Sequence, residues 1–251
     1  MLNYQIEGNG PPLLLVHGFG VAYPIWAALA PLLRVHFQLV MVELPGIGQS
    51  PLTARHSSYY AECAEALVEI REALGIERWA VLGYSSGTRA AEAYVRRDAP
   101  HVARAVFLCP AYVSGLKPLG LRLGVRLDRR WPRFGSWMLS NWRMYLLIIG
   151  LAFSGRRHPM TTVWNREINR QPMASLKTTL RELPGAGGTK FDLPNLPTLF
   201  VWGRYDLLGS PPHRLRANDR VIPADHSAPV LAAPAVAEAV ILFLSENPKS
   251  P

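Results

Sequence analysis

Residues 79–87 read Trp79-Ala80-Val81-Leu82-Gly83-Tyr84-Ser85-Ser86-Gly87. An apolar run enters two serines held between glycines, and residues 86–97 continue in a helical pattern. A chain that turns sharply from strand to helix lifts the residue at the turn clear of its own backbone. Small residues are then needed wherever the backbone crowds itself. Gly83-Tyr84-Ser85-Ser86-Gly87 fits G-x-S-x-G, with a strand before it and a helix after it, the context in which that pattern presents a nucleophile. The helix start behind Ser85 adds unpaired N–H groups and a positive dipole end. A glycine-bounded turn would also explain these residues; the flanking elements favour an exposed nucleophilic serine.

Working outward, short apolar runs alternate with longer helical patterns. Leu13–Val16, Phe37–Val42, Ala105–Leu108, Thr198–Trp202 and Arg220–Ile222 read as strands. Helices are expected from Pro24, over 58–74, and over about 232–245. In the 58–74 helix, Ala61, Ala64, Leu67, Val68 and Leu74 share one face. Glu62, Glu65, Glu69 and Glu72 fall mostly on the other, and Gly75 ends the element. Near-continuous apolar strands are those buried on both faces. The expected fold class is therefore α/β, with a mostly parallel central sheet flanked by helices.

The rhythm breaks over residues 112–190. That segment holds 14 Lys/Arg against three Asp/Glu, whereas the remaining residues hold 13 against 15. The net charge of +9 thus belongs to one insertion. We read 1–111 and 191–251 as the core and 112–190 as a basic, apolar helical cap over the sheet's carboxyl edge, where ligands of such sheets bind. Trp137 and Trp142, in its apolar stretch, and Tyr84 beside the serine are the candidate substrate contacts. The cap's arginines suit anionic substrates or peripheral contact with an anionic membrane. No motif supports a nucleic-acid partner.

Composition narrows the class further. The chain of 251 residues is 49% hydrophobic and 18% charged, with a mean hydropathy of +0.07, which is globular. Its two cysteines, Cys63 and Cys109, cannot form a disulfide framework and lack metal-site spacing, so no metal is expected. The longest apolar stretch, Met144–Phe153, is about half of the roughly 20 residues that span a bilayer. No cleavable leader is visible, and the expected location is the cytoplasm.

A nucleophilic serine needs a base, an acid and an oxyanion site. His226, in Ala224-Asp225-His226-Ser227-Ala228-Pro229, follows the last strand at the same sheet edge. Asp206 follows the preceding strand and is preferred to Asp225, because adjacent residues seldom turn their side chains toward each other. Such an acid fixes the tautomer of the base. The backbone N–H groups of Ser86 and Phe19 are the expected oxyanion donors, with Phe19 lying in His17-Gly18-Phe19-Gly20. His17 itself has neighbours that point to a different task.

Together, HGFG, GYSSG, Leu44-Pro45-Gly46-Ile47-Gly48-Gln49-Ser50, WGRYD and DHSAP resemble the α/β-hydrolase superfamily of cap-bearing esterases, lipases and C–C hydrolases. The order Ser85, Asp206, His226 matches that family. The resemblance implies an α/β-hydrolase fold and hydrolysis of apolar acyl or aryl esters through an acyl-enzyme, with no cofactor. It leaves open other reactions on the same apparatus: C–C hydrolysis, acyl transfer, perhydrolysis or hydroxynitrile lysis. A non-catalytic accessory protein that binds a hydrophobic ligand is a further alternative. Serine at 85 argues against the related dehalogenases and epoxide hydrolases, which use aspartate. The chain departs from the pattern at Glu43, usually Asp, and at Thr88, often Gly. The usual first strand is expected to be absent, and a bare sheet edge would leave room for oligomers. Only 19 residues separate Asp206 from His226, so a short or missing helix is expected between the last two strands.

Overall fold

The computed structural model describes residues 1–53, 58–110, 117–140, 159–186, 191, 193–206, 208–209 and 211–246. Seven strands form one sheet: β1 (Tyr4–Glu7), β2 (Pro12–Val16), β3 (Gln38–Val42), β4 (Trp79–Tyr84), β5 (Val102–Leu108), β6 (Thr198–Gly203) and β7 (Arg220–Ile222). Their order is β1-β3-β2-β4-β5-β6-β7. Only β1 runs antiparallel, with Tyr4 opposite Val42; every other pairing is parallel. This edge strand was not anticipated. It occupies the start of the chain, and the described residues before it hold no strand.

Alternation along the strands divides the core in two. Leu13, Leu15, Leu39, Met41, Leu82 and Val106 face a cluster covered by α1 (Ala30–Leu33) and by α9 (Ala233–Ser245). Leu14, Val16, Val40, Val42, Val81 and Phe107 face the opposite cluster under α2 (Tyr59–Ala73) and α3 (Gly87–Arg97). Two-sided burial is the reason these strands read as unbroken apolar runs. The helix expected from Pro24 is instead a 3-10 turn, Tyr23–Trp26, followed by the short α1.

The inward face of α2 is also rotated from the expected one. Cys63, Ala64, Leu67 and Ile70 are buried, and Ala61 is exposed. Glu62 is buried because it accepts hydrogen bonds from Thr53 N (2.9 Å) and Oγ1 (2.5 Å). Arg71 is buried because its Nε lies 2.7 Å from Asp98. Tyr94 donates to the same carboxylate at 2.8 Å and receives the Trp79 indole N–H at 2.8 Å. Polar residues enter the core here because each has a partner.

Within 117–186 the described elements are all helical: α4 (Lys117–Arg130), α5 (Pro132–Ser140), α6 (Pro159–Arg170) and α7 (Met173–Ala186). The last two are fastened to loops at the carboxyl edge of the sheet. Gln171 accepts the Gly48 N–H at 2.7 Å. Glu182 accepts from Ser58 Oγ (3.0 Å) and Tyr59 N (2.7 Å), so α7 caps the start of α2 from outside. Ile168 and Leu176 press on Gly20. Among the described residues between β6 and β7 there is no helix, as the short spacing implied, and α8 (Ala228–Leu231) leads from β7 into α9. Among the described residues no helix is long and apolar enough to cross a membrane.

Candidate active site

Strand β4 ends at Tyr84, and the chain turns through Ser85 at φ 53° into α3. A non-glycine residue in the left-handed region costs about 1–3 kcal/mol and persists only where its surroundings enforce it. The enforcing contacts are visible. A Cβ on Gly83 would lie 2.8 Å from the Ala91 Cβ, and one on Gly87 would overlap the carbonyl oxygens of His17 and Val16. Thr88, in place of the second glycine, donates its hydroxyl to Ser85 O at 2.5 Å and ties the turn to the first turn of α3.

The structure brings Ser85, His226 and Asp206 into one hydrogen-bonded line. His226 Nε2 is 2.7 Å from Ser85 Oγ, and Nδ1 is 2.8 Å from Asp206 Oδ2. A carboxylate only accepts, so Nδ1 carries the ring proton and Nε2 is left to accept the Ser85 hydroxyl. Asp206 and His226 are both buried, and Ser85 is half-buried. The other oxygen of Asp206 accepts the N–H groups of Leu208 (2.8 Å) and Gly209 (3.0 Å). Burial works to raise the Asp206 pKa, but His226 and these two N–H groups outweigh it and hold the carboxyl below its ordinary value. Asp225 instead accepts from Ser227 N at 2.8 Å and from the Ser227 hydroxyl.

Gly18 lets the loop after β2 run alongside the serine, since a Cβ there would come within 2.9 Å of the Ser85 Cβ. Phe19 and Ser86 line one small pocket beside it, together with Gly18, Leu44 and Tyr60. Ser86 is also the N-cap of α3, so its N–H belongs to the group of helix-start donors that lack an intrahelical acceptor.

His17 does have a different task. Its Nε2 accepts the Leu44 N–H at 2.9 Å, so Nδ1 must carry the proton that it donates to Gly18 O at 2.8 Å. Burial pushes its pKa down to about 4, which keeps the ring neutral in this role. The next loop is held by Glu43. It accepts from Gln49 N (2.7 Å) and Asn3 Nδ2 (2.9 Å), while Ser50 Oγ donates to Glu43 O at 2.6 Å. The longer glutamate therefore does the work of binding both the loop and the chain start.

Three sequence-based expectations for substrate contacts fare differently. Tyr84 is buried, and its hydroxyl donates to His226 O at 2.6 Å, with the two rings 5.4 Å apart. This corrects the expectation of a cleft-facing residue: Tyr84 supports the histidine from below. Trp137 is exposed on α5, stacked on Phe134. Trp142 lies outside the described residues.

Cys109, buried just after β5 at φ 43°, shares the neighbourhood of Asp206 and His226, with ligand atoms within 4.8 Å of one another. Those three donors do not suit a metal. The histidine and carboxylate hold each other, while burial and the nearby Asp206 charge push the thiol pKa well up, away from the thiolate a metal requires.

A parallel sheet that delivers a serine, a carboxylate and a histidine, in that chain order, to one edge has the layout of a hydrolase. The alpha/beta hydrolase fold family matches residues 11–236, and the chain belongs to that family. A pimeloyl-[acyl-carrier protein] methyl ester esterase from Methylococcus capsulatus is 29% identical over 195 residues, covering 72% of this chain and 74% of the relative. Its counterpart from Vibrio vulnificus is 33% identical over 124 residues, and that match spans 46% of the relative, under half its length. A hydrolase from Oleispira antarctica shares the fold with a TM-score of 0.76 at 19% identity, over 98% of this chain and 95% of that one.

Proposed function

We propose that this protein is a carboxylic ester hydrolase that works through a Ser85–His226–Asp206 triad on esters with an apolar acyl or aryl group. The observation that carries the reading is the continuous line of hydrogen bonds from Asp206 through His226 to a serine strained into the open. Two relatives named as methyl ester esterases support the same reaction class. In the reaction, Ser85 Oγ attacks the ester carbonyl while His226 Nε2 takes its proton, and Asp206 stabilises the imidazolium that forms. The N–H groups of Phe19 and Ser86 receive the charge on the carbonyl oxygen. His226 then hands the proton to the departing alcohol, leaving an acyl group on Ser85. A water that gives its proton to His226 attacks that acyl group, and the acid departs as Ser85 regains its hydrogen. Helices α4–α7 form the cap over this edge and complete the acyl pocket.

The test is hydrolysis of a graded series of nitrophenyl esters, from acetate to palmitate, by the native chain and by Ser85→Ala. Native turnover that falls by roughly 10⁴-fold or more in Ser85→Ala is expected. An inactive native chain, or a variant that keeps its activity, would overturn the reading.

A further inference from the structure

The basic segment carries a surface that chemistry at Ser85 does not require. On α4 and α5, Arg126, Arg129, Arg130 and Arg133 are all exposed. The sole acid of these two helices, Asp128, is turned inward and held 2.7 Å from both Lys177 and Arg181 of α7. Among the described residues, no acidic side chain pairs with these four arginines. Large apolar side chains stand among the arginines: Leu123 is 57% exposed, Trp131 54%, Phe134 41% and Trp137 53%. Phe134 and Trp137 stack with ring centres 5.8 Å apart, and the Arg130 guanidinium lies 5.7 Å from the centre of the Trp131 ring. Exposed cations and rings are thus interleaved along these two helices.

This surface is locked from behind. Val125, Asp128 and Gly135 face inward. Lys177 Nζ donates to Pro132 O at 3.0 Å and to Ser136 Oγ at 3.2 Å, and Gly135 packs directly on the Asp128 carboxyl. The two helices cannot roll to bury their rings without breaking those contacts. Exposed aromatic clusters are uncommon on a surface with no partner.

We propose that the outer face of α4 and α5 docks on an anionic phospholipid surface. The arginines meet the lipid headgroups, each strengthening attachment about fivefold. Trp131, Phe134, Trp137 and Leu123 seat at the boundary between headgroups and acyl chains, where amphipathic rings are favoured. An acidic protein would answer the charge, but side chains that protrude by about half their surface suit a soft boundary better than a rigid partner. The inference stands on this surface alone and does not depend on ester hydrolysis.

The whole protein is sedimented with vesicles of phosphatidylcholine, and with vesicles that also contain phosphatidylglycerol, at low and high salt. Attachment to the anionic vesicles only, weakened by salt, is expected. Replacing all four arginines with Gln should weaken it by more than tenfold. A second variant, Trp131→Ser with Phe134→Ser, keeps the charge and should also bind less. All six side chains are exposed, so an unchanged thermal midpoint is expected for both. No attachment to anionic vesicles, or attachment that the arginine variant retains, would overturn the proposal. So would arginine-dependent binding that ignores Trp131 and Phe134 and is equalled by polyglutamate, which would assign the face to an acidic protein.

Discussion

Single residues at this site are defined by what surrounds them more than by what they are. Three buried or half-buried groups, Ser85, His226 and Asp206, were legible because each follows a strand at the same sheet edge. Their distances were not. They depend on Leu208 and Gly209 gripping Asp206 in a connection that lacks a helix among its described residues. Tyr84 was misread because proximity in sequence to Ser85 suggests the cleft. The strained turn separates the two side chains, and Tyr84 points back beneath His226. His17 shows how burial sets a pH response. Its folded pKa of about 4 lies below the ordinary value of 6.5, so the unfolded chain takes up the proton first as pH falls. The stability this neutral ring contributes is complete above about pH 6.5 and declines toward pH 4, by about 2 kcal/mol at pH 5. Urea unfolding at pH 7 and pH 5 should therefore show a smaller loss in His17→Gln than in the native chain. Equal losses would mean that His17 is protonated in the folded state.

At the level of elements, legibility followed burial. Strands covered on both faces announce themselves as apolar runs, and α3 and α9 began within a residue or so of where the sequence placed them. β1 did not, because Tyr4, Gln5, Ile6 and Glu7 sit at an edge with no fully buried side chain among them. The tilt of α2 was hidden for another reason. Glu62 and Arg71 are buried by partners outside the helix, Thr53 and Asp98, which periodicity cannot register. The glycine after α2 and the one at the elbow between β4 and α3 show two different uses of the residue. At Gly75 the backbone has φ 62° with open space around it, so only conformation matters. Gly75→Ala should cost about 1–2 kcal/mol. Gly87 instead lies against the backbone of β2, where an added methyl meets the carbonyl oxygens of Val16 and His17. Gly87→Ala must separate α3 from β2 and should cost about 3 kcal/mol or more. Comparing urea midpoints of the two variants decides it. A milder effect at Gly87 would show that the sheet yields and that close approach is not what the elbow glycine serves.

Across the whole molecule, charge is distributed unevenly along the chain. The 112–190 segment has a net +11 and the remainder a net −2, so the protein is electrically lopsided toward the helices that sit on the loops beside Ser85. The cation excess of the segment far exceeds what the remainder could neutralise. Asp128, Glu167 and Glu182 are all committed to other partners, which leaves Arg126, Arg129, Arg130 and Arg133 without an acidic partner among the described residues. A field of this kind draws anions toward the carboxyl edge and raises their encounter rate by about tenfold or more at low salt. It fades once the Debye length, about 10 Å at 0.1 M salt, becomes shorter than the path it acts over. Two esters of similar size, one neutral and one ending in a carboxylate, should then part company as salt is raised. The kcat/KM of the carboxylate ester is expected to fall about tenfold, and that of the neutral ester to hold steady. Replacing Arg126, Arg129, Arg130 and Arg133 with Gln should flatten the first curve and leave the second alone. If both esters respond alike in the native chain, the basic segment does not face the route by which substrate reaches Ser85.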